Sequence, residues 1–293
     1  MSYPLRSEAL YRFSPGKPCP GESSEITSHQ PCLRLSGVGG ASSFIGCQSG
    51  PPSILCHYMK SILSLKDLRA VDRVRVGGKA AILGELFAAG MTVPSGFVVL
   101  DDATDEGVLA AFDQLSSPLV AVRSSAIAED GMKQSWAGTL QTFLRVDRAT
   151  VLARIADCRA SGQGKRAQSY GNSAGKVAVI VQTMLPSEIS GVLFSVDPVS
   201  GDANRLLIEA SRGVGESVVS GSVIPEHIVV DTSSGAIVEK QNSGQAVLTA
   251  NQVKDLVAAA VRVEQVLHAP VDIEWSFAAG RLYLLQARPI TTL

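Results

Sequence analysis

A stretch near the end of the chain, VDIEWSFAAGRLYLLQARPI over Val271 to Ile290, constrains the fold more than any other. Val271, Ile273, Trp275 and Phe277 alternate with Asp272, Glu274 and Ser276, the period of a strand. Ala279-Gly280 then marks a turn before a second strand-like run, Leu282 to Arg288. The stretch predicts a β-hairpin. Side chains alternate between the two faces of a strand, so Asp272 and Glu274 share a face of the first strand and Gln286 and Arg288 a face of the second. A turn centred on Gly280 sets Asp272 opposite Arg288 and Glu274 opposite Gln286. Directly opposed residues point the same way, so this pairing needs a loop of odd length, or a two-residue loop with a bulge that restores the phase. Two carboxylates, an amide oxygen and a guanidinium then converge on one patch. Hard oxygen ligands suit Mg²⁺ and Arg forks onto phosphate, which makes the patch a candidate metal and phosphate site. The same residues also compose a solvated salt-bridge ladder.

The charge balance excludes some partners. With 26 Lys and Arg against 27 Asp and Glu, the net charge of −1 gives no electrostatic case for nucleic acid or an anionic membrane. No apolar run reaches the roughly 18 residues of a membrane span, and a cytoplasmic enzyme is expected. Cys19, Cys32, Cys47 and Cys56 form no CxxC pair, so zinc is not indicated, and Cys158 reads as a reduced packing residue. Residues 1 to 58 hold half of the 14 prolines and no sustained apolar period, and are expected to be a disordered or non-native extension.

From Met59 the pattern becomes regular. Val76-Gly77-Gly78-Lys79 leads into a helix through Phe87, with Ala80, Leu83, Leu86 and Phe87 as its buried stripe and Gly90 as its left-handed end. Glycine amides, a helix N-terminus and the Lys79 ammonium together can hold a phosphate; a plain turn before a helix reads the same way. A short helix within Asp105 to Leu115 precedes a strand, Leu119 to Arg123, which ends in Arg123, Ser124 and Ser125 as an anion clamp or an ion-pair site. Ser135 to Thr139, SWAGT, is a small-residue loop in which Gly138 allows close backbone approach. Helical periodicity over Thr150 to Arg159 gives way to a Gly-rich break and a short helix near Tyr170. Lys176 to Leu185 is apolar on both faces and reads as a central strand, with GVLFSV and LLIEA as its partners. Glu209 ends an apolar strand beside the Gly213 and Gly215 loop, either touching a ligand or capping the loop. Thr249 to Gln252 forms a capping box for a helix to Leu267. His227 and His268 have no motif partner and read as structural.

Taken in order, VGGKAAILGELFAAGMTVPSGFVV, VAVRSSAIAEDGMKQSWAGTLQTFLRV, VIVQTMLPSEISGVLFSVDPVSG, LLIEASRGVGESVVSGSVIPEHIVVD and VDIEWSFAAGRLYLLQARPIT resemble the ATP-binding domain of the phosphoenolpyruvate synthase and pyruvate phosphate dikinase family, over about Val76 to Thr291. Rifamycin phosphotransferases share this module. The resemblance implies an α/β (α+β) fold of ATP-grasp type, with lobes at 59–175 and 176–293 closing on ATP. It assigns Gly77, Gly78, Lys79 and Arg123 to the phosphates, and Gly138 and Thr139 to a loop over them. Gln182 and Met184 fall at the adenine-side hinge, and Glu209 is a further candidate nucleotide contact. Asp272, Glu274 and Gln286 serve nucleotide and Mg²⁺, and Arg288 stabilises the transferring group, so that Lys79, Arg123 and Arg288 are the catalytic cations.

Two departures accompany the resemblance. Thr139 stands where the family usually has Gln, and the histidine-bearing and pyruvate-binding domains of the full enzymes are not part of the sequence. The expected function is an ATP-dependent phosphotransferase, of dikinase type, loading a histidine on a separate chain. A non-catalytic ATP-binding module and part of a split rifamycin-type phosphotransferase are the alternatives.

Overall fold

Strand pairing sorts the chain into two antiparallel sheets. The computed structural model describes residues 61–126, 141–169, 177–198, 200–213, 224–241 and 246–291, with backbone alone at 162–169. The expectations for residues 1–58, for the SWAGT loop, for a helix near Tyr170 and for a boundary at 175/176 lie outside these residues. The first sheet contains β1 (Ile62–Ser64), β2 (Gly96–Val99), β3 (Val120–Ala126), β4 (Thr142–Val146) and β5 (Val177–Thr183), in the order β1-β2-β5-β3-β4. The second contains β6 (Ile189–Phe194), β7 (Arg205–Arg212), β8 (Glu226–Asp231), β9 (Ile237–Gln241), β10 (Val271–Ala278) and β11 (Arg281–Pro289), in the order β11-β10-β6-β7-β8-β9. The fold is therefore α+β.

β5 sits at the centre of its sheet for the reason its sequence suggests, since both of its faces are covered. Ala178 and Ile180 join the core around helix α1 (Arg73–Ala88), while Val179 and Val181 pack with Val108 and Phe112 of α2 (Asp105–Asp113) and Ile155 of α3 (Val151–Ser169). Its partners differ from those expected. β5 pairs with β2 and β3, whereas the GVLFSV and LLIEA strands, β6 and β7, belong to the second sheet. The sheets part between Thr183 and Ile189 because Pro186 and its polar neighbours interrupt the ladder there. Helix α3 also runs further than expected. It passes through Ser161-Gly162-Gln163-Gly164 to Ser169, since a glycine costs a helix only about 1 kcal/mol and need not end it. Cys158 is buried, and burial pushes its thiol up to about 12, which leaves it a packing residue.

The core face of the second sheet, with Ile273, Leu193, Ile208 and Ile228, is covered by α4 (Ala250–Leu267) through Val253, Leu256, Ala260 and Val263. The capping box is present: Gln252 N donates to Thr249 Oγ1 at 3.3 Å, and Thr249 N donates to Gln252 Oε1 at 2.9 Å. Replacing Thr249 with Ala is expected to destabilise the fold by about 1 kcal/mol, read as a lower midpoint in urea unfolding with an unchanged slope.

Trp275 is wholly buried on this same core face, edge-on to Phe277 with ring centroids 5.8 Å apart. Gly191, its neighbour in β6, leaves the space the indole occupies: a Cβ there would lie 2.8 Å from Trp275 Cζ2 and 1.8 Å from the Glu209 carbonyl oxygen.

Candidate nucleotide site between the sheets

The hairpin meets its parity condition by the bulged route. Ala278 pairs with Arg281, leaving the two-residue loop Ala279-Gly280, whose φ values of 48° and 69° match the left-handed pair of a type I′ turn. With that loop and no irregularity, Glu274 would face Leu285. The register shifts between Glu274 and Trp275 instead, leaving Leu285 as the extra residue, and Glu274 pairs with Gln286 and Asp272 with Arg288. The outer edge of β11 is also tied down, Leu284 N donating to Thr92 O at 2.9 Å.

These pairings continue across the sheet. Glu274 opposes Val192, Val192 opposes Glu209 and Glu209 opposes His227, so all four share the face away from α4. Arg123 reaches this face from the other sheet. It lies on the face of β3 that also carries Ser125, opposite Ile180 of β5, and its Nη1 donates to Glu274 Oε2 at 3.1 Å and to Gln286 Oε1 at 3.5 Å. The Arg123 side chain is only 12% exposed and that of Glu274 33%, which sets the pair apart from a solvated surface bridge. Beside it, Arg288 donates from Nε to Asp272 Oδ2 at 2.8 Å, and its Nη2 is ion-paired with the same oxygen at 2.7 Å. Burial raises the Asp272 carboxyl above its ordinary range; Arg288 opposes that shift and the Glu274 charge adds to it.

Gly77 and Lys79 are brought to the same strand. Gly77, at φ 79° and ψ 167°, breaks the helix so that a new N-terminus starts at Gly78, and a Cβ on it would stand 2.5 Å from Ser125 Oγ. Ala80 N donates to Ser125 Oγ at 3.3 Å. The half-buried Lys79 is therefore held one residue from a contact with the strand that carries Arg123. This corrects one expectation: Ser125 is committed to the helix terminus rather than extending from the strand end as an anion clamp, because β3 continues to Ala126.

The remaining residues are further out. Gln182 is buried on the Arg123 face of the first sheet, its Nε2 donating to Pro94 O at 3.5 Å, and Met184 N donates to Leu119 O at 3.1 Å where the chain leaves that sheet. Glu209 is two strands from Glu274, about 10 Å at ordinary strand spacing, and lies 3.8 Å from His227 Nδ1. That pairing is invisible to spacing, since only the sheet order makes β7 and β8 neighbours. Gly138 and Thr139 lie outside the described residues.

The donor set fits a cation and a polyphosphate. Glu274 and Gln286 already place two hard oxygens around one cationic nitrogen, and Arg123 Nε is buried without a hydrogen-bond partner among the described residues, a donor left over for a ligand oxygen. Among the described residues there is no group of three or more His, Cys, Asp and Glu that could hold a metal.

The family model of the pyruvate phosphate dikinase AMP/ATP-binding domain matches residues 100–246 and 235–293. The chain belongs to that family. Its match includes Arg123, Glu274, Gln286 and Arg288, the residues that the two sheets bring to the junction, and Gln182 further out. Curated relatives include the prodigiosin synthesizing transferase PigC of Serratia marcescens, 30% identical over 79% of this chain, and a probable phosphoenolpyruvate synthase of Methanocaldococcus jannaschii, 31% identical over 80%. The uncharacterized phosphotransferase YvkC of Bacillus subtilis is 34% identical over 74% of this chain. The chain spans 33%, 27% and 33% of the lengths of these three relatives. No helix among the described residues is long and apolar enough to cross a membrane.

Proposed function

We propose that the chain is an ATP-dependent phosphotransferase module of ATP-grasp type that holds MgATP between its two sheets and passes phosphate to a histidine on a separate chain. The observation that carries this reading is the convergence of Arg123 from the first sheet on Glu274 and Gln286 of the second. Phosphoryl transfer asks a protein for positioning and charge neutralisation more than for covalent help, and this junction assembles the groups for both. In the proposed complex the Gly78 amide, the Lys79 ammonium and Arg123 hold phosphate oxygens, and Arg288 grips the distal phosphates and meets the charge that develops on the transferring group. Gln182 and Met184 line the adenine side. Glu274 and Gln286 would hold the metal, which would supply charge neutralisation at the phosphates.

An acceptor outside the described residues is favoured by where the described histidines stand. His227 is three strands from Glu274, about 14 Å at ordinary spacing, and His268 caps α4 on the opposite face of the sheet. The test is to incubate the protein with labelled ATP and Mg²⁺, with and without candidate histidine-bearing proteins, and to follow acid-labile label and AMP. Label on a partner histidine, with AMP and one inorganic phosphate released per phosphohistidine so that all three phosphates of ATP are accounted for, supports the reading. ATP binding without label or AMP for any partner supports a non-catalytic ATP-binding module instead.

A further inference from the structure

The resemblance places Asp272 among the nucleotide ligands, but its contacts point to a different task. Its side chain is 10% exposed, and in the row across the sheet it stands between Arg288 on β11 and Phe194 on β6. Its Oδ2 accepts a charged hydrogen bond from Nε of Arg288 and is ion-paired with Nη2 of the same guanidinium at 2.7 Å. Glu274, one pleat along, is the more open acid, with a third of its side chain exposed. The Arg288 side chain is 54% exposed, and so is an arm anchored at one edge and open at the other.

We infer that Asp272 is a positioning residue for Arg288 and does not itself bind nucleotide or metal. A guanidinium is planar and rigid, so two of its nitrogens held against one oxygen set both the direction of the side chain and the rotation of the fork. A free arginine on a strand end samples many rotamers, and each must be given up when a phosphate is gripped. Asp272 settles that orientation before the ligand arrives. This rests on the reading above that Arg288 serves the phosphates.

The experiment measures dissociation constants of the full-length protein for MgATP and for AMP by calorimetry, for wild type, Arg288→Ala, Asp272→Asn and the double variant. AMP is the internal control: a merely structural defect weakens both ligands, whereas a misdirected Arg288 weakens only the one with the distal phosphates. Arg288→Ala and Asp272→Asn are each expected to lower the preference for ATP over AMP by about tenfold. AMP affinity stays at the wild-type value, and the double variant is no worse than Arg288→Ala. Asp272→Glu, which keeps the charge at a different reach, recovers part of the loss. If Asp272→Asn keeps the wild-type preference while Arg288→Ala loses it, the positioning role is wrong. A double variant clearly weaker than Arg288→Ala shows that Asp272 touches nucleotide or metal directly, which also overturns it. If Arg288→Ala leaves the preference unchanged, or the wild type binds neither nucleotide, the phosphate-site reading itself falls and the inference with it. Should Asp272→Asn fail to fold, Asp272→Ser and Asp272→Glu provide the same comparison.

Discussion

Glu274→Gln is expected to slow phosphate transfer from ATP by about 10²- to 10³-fold, while the dissociation constant for ATP rises by less than about tenfold. The substitution preserves the length and an oxygen of the side chain, so packing of β10 against β6 and β11 survives and the fold is not at issue. What it removes is one unit of negative charge at the point where Arg123 and Gln286 meet. On the proposed reading two consequences follow: the metal would lose its carboxylate ligand, and the Arg123 guanidinium would lose the charged partner that holds it 3.1 Å away. Both act on charge that grows as the phosphorus–oxygen bond breaks, so the loss falls on the rate more than on ground-state binding. Single-turnover measurement of labelled ATP with the histidine partner present separates the two quantities. A variant that transfers at the wild-type rate removes Glu274 from the machinery.

The largest effect on stability is expected at Gly191. Its would-be Cβ lies 1.8 Å from a backbone oxygen of the neighbouring strand, which cannot swing away as a side chain can, and 2.8 Å from a ring with no exposed surface to move into. Gly191→Ala must therefore separate β6 from β7 or displace Trp275, at a cost of about 3 kcal/mol, seen as a fall of several degrees in the thermal midpoint. The same movement spreads the row that carries Glu274, Val192 and Glu209 on the other face, so nucleotide affinity is expected to fall along with stability. Gly90→Ala gives the comparison: nothing stands within 4 Å of its Cβ, and only the positive φ of 72° is strained, a smaller cost of about 1 kcal/mol. Equal losses at the two positions would show that packing against Trp275 is not what requires glycine.

The hairpin was legible because its alternation is strict and the acids, amide and arginine fall on even steps from the turn. The length of the loop was not, since Ala279-Gly280-Arg281 can supply either two or three turn residues and Leu285 carries no mark of a bulge. The two-face apolar character of β5 correctly placed it at the centre of a sheet. It could not say which sheet, because a doubly buried strand looks the same in either, and the tendency of consecutive strands to pair favoured β6 wrongly. Arg123 could be singled out as an anion-clamp or ion-pair residue from an expected strand end, although β3 continues past it to Ala126. Its partner, 151 residues away on the other sheet, became nameable only through the family resemblance, since no spacing rule spans two sheets.

The bulge at Leu285 also bears on how hairpins of this kind can vary in length. With Leu285 deleted, Trp275 to Ala278 keep their partners Leu284 to Arg281, and Gln286 moves into the regular ladder opposite Glu274. Leu285 is thus a position at which the hairpin can shorten by one residue with no other side chain changing face. When such sequences are aligned, a single gap opposite the step from Glu274 to Trp275 marks the loss of the bulge and calls for no matching gap at the turn.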